Sequence, residues 1–176
     1  MFFSLIEKRR SIRKFKSLPI EKEKIDRIIE AALRSPSSRG FNPWRFIVVD
    51  RPELLESLSK AKPHGSSFLK DAPLGIVVCG DESKTDVWVE DTSIATIFIQ
   101  LAAHSLGLGS CWIQVRKREH NHNKSAELYI REILNIPENF KVESMIAIGY
   151  PDENKNPHPK ESLEMEKVFY NKYEVI

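Results

Sequence analysis

No charged side chain falls between Thr92 and Ser110, and that stretch leaves the chain few ways to fold. Thr92, Ser93, Thr96, Gln100, His104, Ser105, Gly107 and Gly109 make it too polar for the core of a bilayer. A helix that is apolar around most of its circumference is buried instead, in a large core or an oligomer interface. The helix reads as Trp88 to Leu106, with Gly107 as the left-handed residue that stops it. A chain of 176 residues is enough for one domain with a sizeable core. A net charge of +2 excludes a bulk polyanion binder, so any basic function is local.

Around that helix the pattern alternates. Ser4-Leu5-Ile6-Glu7 reads as the capping box of a short opening helix. Ile25, Ile28, Ile29, Ala32 and Leu33 share one face of a helix over 21–34, ended by Pro36. Phe46–Val49, Leu74–Cys79, Ser110–Gln114 and Val142–Tyr150 read as strands. Asp50 is placed to cap a helix that starts at Pro52-Glu53. Residues 122–134 read as a helix, 152–162 as a stretch without packed structure, and 167–173 as a late strand. Four strands and about five helices give a sheet covered by helices. The alternation suits a doubly wound sheet, but no G-x-G-x-x-G follows the first strand. Gly107-Leu108-Gly109 follows a helix and precedes a strand, the reverse of that context.

Cys79 and Cys111 form no zinc spacing and lie in apolar runs. They read as buried free thiols in a reducing, cytoplasmic setting. The apolar start Met1–Ile6 is too short for a signal peptide and has the wrong charge order.

Three stretches carry candidate chemistry. Lys8-Arg9-Arg10-Ser11-Ile12-Arg13-Lys14-Phe15 packs cations around one hydroxyl. Arginine's forked donors suit a dianionic phosphate; taken alone, the stretch favours a solvated basic face or a nucleic-acid patch. Pro36-Ser37-Ser38, leading to Asn42-Pro43-Trp44, offers hydroxyls and free N–H groups, or is simply a turn that ends a helix. Gly109 next to Cys111-Trp112 allows close backbone approach by a flat ligand. His120 and His122 lack a third ligand at metal spacing, and His104 reads as a core histidine. Arg116-Lys117-Arg118 is a second basic run.

Together these stretches resemble the nitroreductase family of flavoproteins nearly end to end. The resemblance rests on Arg-Arg-Ser-x-Arg-x-Phe at 9–15, Ser-Pro-Ser-Ser with Asn-Pro-Trp at 35–44, and Leu-Lys-Asp-Ala-Pro at 69–73. It continues through Trp88–Ala95, Leu101–Trp112 and Ala-Ile-Gly-Tyr-Pro at 147–151. It implies an α+β fold, a central mixed but largely antiparallel sheet of four to five strands flanked by helices, in one domain over 1–176. It implies bound FMN reduced by NADH or NADPH, and a homodimer with the flavin between the chains. Hydride would pass in ping-pong fashion through flavin N5 to a small electrophile such as a nitroaromatic or quinone, with no catalytic side chain, nucleic acid or membrane involved. Carried over by position, Arg9, Arg10, Ser11 and Arg13 meet the phosphate, ribityl chain and N1/O2 edge. Pro36, Ser37, Ser38 and Asn42 belong to the loop contributed by the partner chain. Gly109, Trp112 and Ile113 lie beside the isoalloxazine, Lys160 or Lys155 completes the phosphate site, and the extension 152–176 reaches the partner.

The chain departs from the family pattern at Gly40, where Asn is common, and at Gln114, where a small residue is common and the larger side chain narrows the pocket. Trp88 either caps the core or lines the partner's pocket. Two rival readings stand beside this one: a nucleic-acid surface made of 8–16 and 116–118, and a flavin-binding protein without turnover.

Overall fold

The computed structural model describes residues 2–173. In chain order the elements are α1 (Phe2–Lys8), α2 (Lys22–Leu33), β1 (Trp44–Val49), α3 (Pro52–Ser59), β2 (Leu74–Asp81), α4 (Trp88–Ser105), β3 (Gly109–Gln114), β4 (Glu119–Asn121), β5 (Lys124–Ser125), α5 (Ala126–Leu134) and β6 (Phe140–Gly149). The main sheet runs β1-β2-β6-β3, and every neighbouring pair is antiparallel. The parallel element is a single bridge, Ser11 to Ser110. This is an α+β sheet, not a doubly wound one. Alternating helices and strands fix the order of elements but leave strand direction open.

β2 and β6 form the centre, with Ile76 opposite Ile146 and Val77 opposite Met145. Side chains alternate between faces along a strand. Ile76, Val78, Ile146 and Ile148 therefore pack under Ile28 and Ala32 of α2 and Ile99 and Ala103 of α4. Val77, Cys79, Met145 and Ala147 pack against Leu55 and Leu58 of α3 and Ala126 and Ile130 of α5. Burial on both faces explains why β2 has no polar alternation: all eight of its residues are buried. Each fully buried Ile or Leu contributes about 1.5–3 kcal/mol.

α4 ends as its glycine predicts. Gly107 sits at φ 78°. Its N–H donates to the His104 carbonyl (3.1 Å), and the Leu108 N–H donates to the Ala103 carbonyl (2.9 Å). That is the pair of a Schellman stop, with Leu108 and Ala103 in one apolar cluster.

Four local expectations fail. Ser4 lies inside α1, so it caps nothing. The residue before α3 is Arg51, not Asp50, and no side chain caps that helix; Pro52 starts it through its fixed φ. Residues 122–125 belong to the β4–β5 hairpin, and α5 begins only after Ser125, whose Oγ accepts from the Leu128 N–H at 3.1 Å. Residues 167–173 form no strand: after a 3-10 turn at Met165–Lys167 the described chain is irregular. Residues 174–176 of the extension lie outside the described residues.

Candidate functional site

The basic segment after α1 is pinned by its apolar residues, which leaves its cations free. Ile12 and Phe15 are buried, three positions apart, and the Ile12 N–H donates to the Ser110 carbonyl at 3.0 Å. Ile12 explains Gly109: a Cβ there would lie 2.8 Å from the Ile12 side chain. The close approach expected of a ligand at Gly109 is therefore made by the protein itself. Phe15 and Pro73 crowd Gly149 in the same way.

The other side of the segment is clipped to the chain beyond β6. Lys16 N–H donates to the Tyr150 carbonyl and Asp152 N–H to the Lys14 carbonyl, both at 2.9 Å. Glu153 Oε1 accepts from the backbone N–H of Arg13 (2.5 Å) and of Lys14 (3.2 Å). These bonds, with the Lys155 ammonium 3.2 Å away, hold the Glu153 carboxyl below its usual range. Lys155 Nζ also donates to the Ser11 carbonyl at 2.7 Å, and Arg10 donates to the Asn156 carbonyl. Arg9, Arg10 and Arg13 make no ion pair among the described residues. The result is a corner of unneutralised guanidinium groups around Ser11, with Lys155 beside it. No hydrogen bond or ion pair ties Lys160 to this corner; it sits exposed in a 3-10 turn.

β3 borders the corner as an edge strand. Because the Ser110 carbonyl points outward to Ile12, alternation turns the backbone groups of Trp112 outward too. They lie beyond the stretch that residues 10–12 cover. The Trp112 side chain is half-buried, whereas Ile113 is 1% exposed and faces the α3–α5 core. A ligand at this edge therefore meets the Trp112 backbone, while the backbone groups of Ile113 turn inward to β6 and its side chain to the core.

The loop 35–43 lies at the opposite end of the sheet. The Pro43 carbonyl accepts from the Asp81 N–H at 2.9 Å, at the far end of β2 from Leu74, which opposes Ile148 beside the cationic corner. Seven strand steps separate the two ends, roughly 24 Å at ~3.4 Å each. The loop is tightly shaped. Arg39, Gly40 and Asn42 all have positive φ, and Ser37 Oγ accepts the Asn42 N–H at 3.0 Å. Ser38 N–H donates to Asp91 Oδ1 at 2.8 Å. Asp91 is 2% exposed, and its Oδ2 has no partner among the described residues. Thus Arg9, Arg10, Ser11, Arg13, Gly109 and Trp112 come together in one chain. Pro36, Ser37, Ser38 and Asn42 do not join them.

Several neighbours of the site had no sequence signal. Glu153 and Asp91 each stand next to a second acid, Asp152 and Glu90, with nothing in the sequence to single them out, yet they hold the two halves. Phe68 packs under Arg13, whose Cζ is 5.8 Å from the ring centroid. His104 is half-buried, not a core residue; burial and the charges of Arg9 and Lys8 keep it below its usual pKa. Burial, with Arg118 nearby, likewise lowers Lys62. Trp88 covers Gly80, where a Cβ would lie 2.6 Å from its ring, and its own ring faces the Arg116 guanidinium at 5.9 Å. His120 stacks on Tyr129 (4.0 Å between centroids) and bonds the Lys60 carbonyl through Nδ1, at 3.0 Å.

Side-chain nucleophiles are not prepared. Burial pushes the Cys79 thiol up to about 12 and raises Cys111 as well, the reverse of a reactive cysteine. Among the described residues no three His, Cys, Asp or Glu converge as a metal site, and no helix is long and apolar enough to cross a membrane. A cavity of about 750 Å³ lies between residues 13–20, Pro52 and Lys70–Pro73. It includes neither Ser11 nor Trp112, and its walls mix Arg13, Lys14 and Lys70 with Asp50, Asp71 and Asp152.

These features define an α+β protein with a phosphate-sized cationic corner beside an open strand edge. A sequence model of the nitroreductase family matches residues 6–65 and 58–150, and the chain belongs to that family. A solved structure described as an FMN-dependent nitroreductase from Clostridium difficile R20291 is 51% identical, with a TM-score of 0.96 over 97% of this chain and 99% of that one. A protein of Methanothermobacter thermautotrophicus, provisionally named an NADH dehydrogenase/NAD(P)H nitroreductase, is 40% identical over 96% of this chain and 85% of its own length. The iodotyrosine deiodinase of Haliscomenobacter hydrossis is 26% identical over 86% of this chain and 80% of its own. Proteins of this kind thus carry names for more than one electron acceptor.

Proposed function

We propose that this protein is an FMN-dependent oxidoreductase that takes electrons from NADH or NADPH and passes them to flat electrophiles such as nitroaromatics and quinones. It works as a homodimer in which each site draws on both chains. One observation carries the reading: the two halves of the expected site stand roughly 24 Å apart at opposite ends of one sheet. Only a second chain can bring a loop 35–43 to the cationic corner.

The corner fits FMN. Its three guanidinium groups make no ion pair among the described residues, though Lys155 pairs with Glu153, and that surplus of positive charge suits a dianionic phosphate. The open edge of β3 offers backbone groups to a ring edge. Arg9, Arg10, Ser11 and Lys155 would hold the phosphate and ribityl chain, and Arg13 the pyrimidine edge, where a cation favours the extra negative charge of the reduced ring. Lys155 is better placed than Lys160 for that task. The chemistry FMN supplies when bound is two-electron transfer from the nicotinamide to an electrophile. The protein's part is grip, charge and access, and the high thiol pKa values accord with there being no catalytic side chain.

Dimerisation has visible surfaces. Ile94, Ile97 and Phe98 form an exposed stripe on α4, and Phe2, Phe3 and Ile6 lie exposed on α1. Such contiguous apolar surface marks an interface. The tail adds Leu163, Met165, Val168, Tyr170 and Tyr173, all exposed. Ile25, Ile29 and Leu33 of α2 and Val48 of edge strand β1 line a groove of about 600 Å³. We place the partner's residues 163–173 in that groove: 167–173 carry a strand-like sequence pattern that is unpaired among the described residues of its own chain, and the β1 edge has room for a strand. The buried free thiols suit the cytoplasm.

The test is direct. The purified protein should be yellow and dimeric, and should bleach without oxygen on addition of NADH or NADPH. A yellow protein inert to both nucleotides is a flavin carrier. A colourless monomer that stays empty in excess FMN rejects the reading, and colourless binding to DNA or RNA that falls steeply with salt favours the nucleic-acid surface.

A further inference from the structure

Trp112 and Gln114 are two apart on β3, so both side chains leave the same face of the strand, the face towards α4. The indole Nε1–H donates to Gln114 Oε1 at 2.9 Å. Gln114 Nε2 donates to the Arg116 carbonyl at 3.1 Å. Both ends of the amide are thus committed, and each bond fixes the orientation the other needs. Gln114 has a third neighbour. β6 bulges where Val78 opposes Ser144 and Cys79 opposes Val142, and the residue skipped is Glu143. Its carbonyl accepts from both Val115 and Arg116 N–H, at 3.2 and 3.0 Å, which turns the chain out of β3. Glu143 is 3% exposed, its carboxyl lies beside the Gln114 amide, and its Oε2 has no partner among the described residues. Bulges often re-aim side chains beside active sites. Here the bulge sets a buried acid beside Gln114.

We infer that Gln114 is a specificity-determining residue: by clamping the Trp112 indole in one orientation, it fixes a rigid wall of the acceptor pocket and disfavours broad acceptors relative to narrow ones. This rests on the oxidoreductase reading above, in which the β3 edge borders the flavin. Trp112 is the aromatic residue of that edge strand, and its half-buried ring keeps part of its surface open. A free indole can swing and let a wider ring in; a clamped one cannot. Gln114 acts through Trp112 and needs no contact with the acceptor itself.

The test separates clamp from volume. Gln114→Met keeps most of the side-chain volume and removes both hydrogen bonds. In 15N-labelled protein, with the Trp112 indole signal assigned by its absence in Trp112→Phe, Gln114→Met should remove the exchange protection of that N–H. With the reduced enzyme, kcat/KM for a bicyclic quinone (menadione) relative to a monocyclic nitroaromatic (4-nitrobenzoate) should rise about tenfold, mainly through KM. In a Trp112→Phe background the same substitution should have little further effect, because the coupling runs through the indole. An unchanged indole signal overturns the clamp. A lost signal with an unchanged ratio, or a full effect in Trp112→Phe, overturns the specificity role. The wild-type protein's colour and its bleaching by NADH or NADPH test the underlying reading separately.

Discussion

At the Leu74 end of the sheet the site residues are cations held by backbone clips to the chain beyond β6, with Glu153 drawn below its usual pKa by those clips. At the Asp81 end they are small neutral residues shaped by positive-φ turns and tied to α4 through Asp91. There the buried carboxyls Asp91 and Glu143 each leave one oxygen without a partner among the described residues. One end supplies charge and the other shape. On the proposed reading, a cofactor with a phosphate at one extremity and a flat ring at the other draws on both ends, one from each chain.

The largest effect should come from breaking the link between the ends. Truncation after Pro159 removes the exposed apolar tail and, on our reading, the strand that a partner's β1 receives. Gel filtration should show loss of the dimer, and FMN affinity should fall by more than 100-fold. A truncated protein that stays dimeric and yellow would mean that the α4 and α1 surfaces suffice alone.

Next in size is the charged end. Arg13→Ala should weaken FMN binding about 10–100-fold, the usual worth of a charge-assisted hydrogen bond, measured by titrating apoprotein with FMN. Arg118→Ala, beyond the far end of β3, should change it less than twofold. Equal effects would dissolve the distinction between the two basic runs.

The neutral end should be more tolerant. Asp91→Ala removes the acceptor for the Ser38 N–H and should loosen the loop, weakening FMN about three- to tenfold. Asp91→Asn, which keeps an acceptor oxygen, should recover most of that loss.

The contrast also separates what the sequence makes legible from what it hides. The buried strands, the α2 stripe and the Gly107 stop follow from local rules, so they read directly from Ile28, Ala32, Val77 and Ile146. The Arg9–Arg13 cluster reads as a site because its residues are adjacent. Strand direction is not local, so the antiparallel order was carried by resemblance alone. Glu153 and Asp91 meet their N–H partners 140 and 53 residues away, and no spacing rule can find such pairs. The strand pattern of 167–173 is a propensity only, because a strand needs an edge to pair with and the described residues of the tail pair with none. The Ser4 and Asp50 caps failed because helix starts shift by a residue or two.

The smallest effects concern pH, and the two ends should respond with opposite sign. Glu153 has a folded pKa below its ordinary 4.5, so its contribution to stability is fully present above 4.5 and is lost as pH falls through the folded value. Glu153→Gln should therefore lower Tm at neutral pH, and the deficit should vanish in acid. Burial lifts the Glu143 pKa above its ordinary 4.5. The folded state then holds that proton more tightly than the unfolded chain, and the wild type loses stability as pH rises from 4.5 to the folded value. Glu143→Gln, which cannot titrate, should match the wild type below 4.5 and gain on it through that window, reaching about 2–4 °C in Tm at neutral pH. Scans of both variants in apoprotein and with FMN would add one more distinction. If a donor from FMN or the partner chain satisfies Glu143 Oε2 in the assembled enzyme, the advantage of Glu143→Gln should shrink when FMN is bound, while the deficit of Glu153→Gln should persist because its N–H donors are in its own chain.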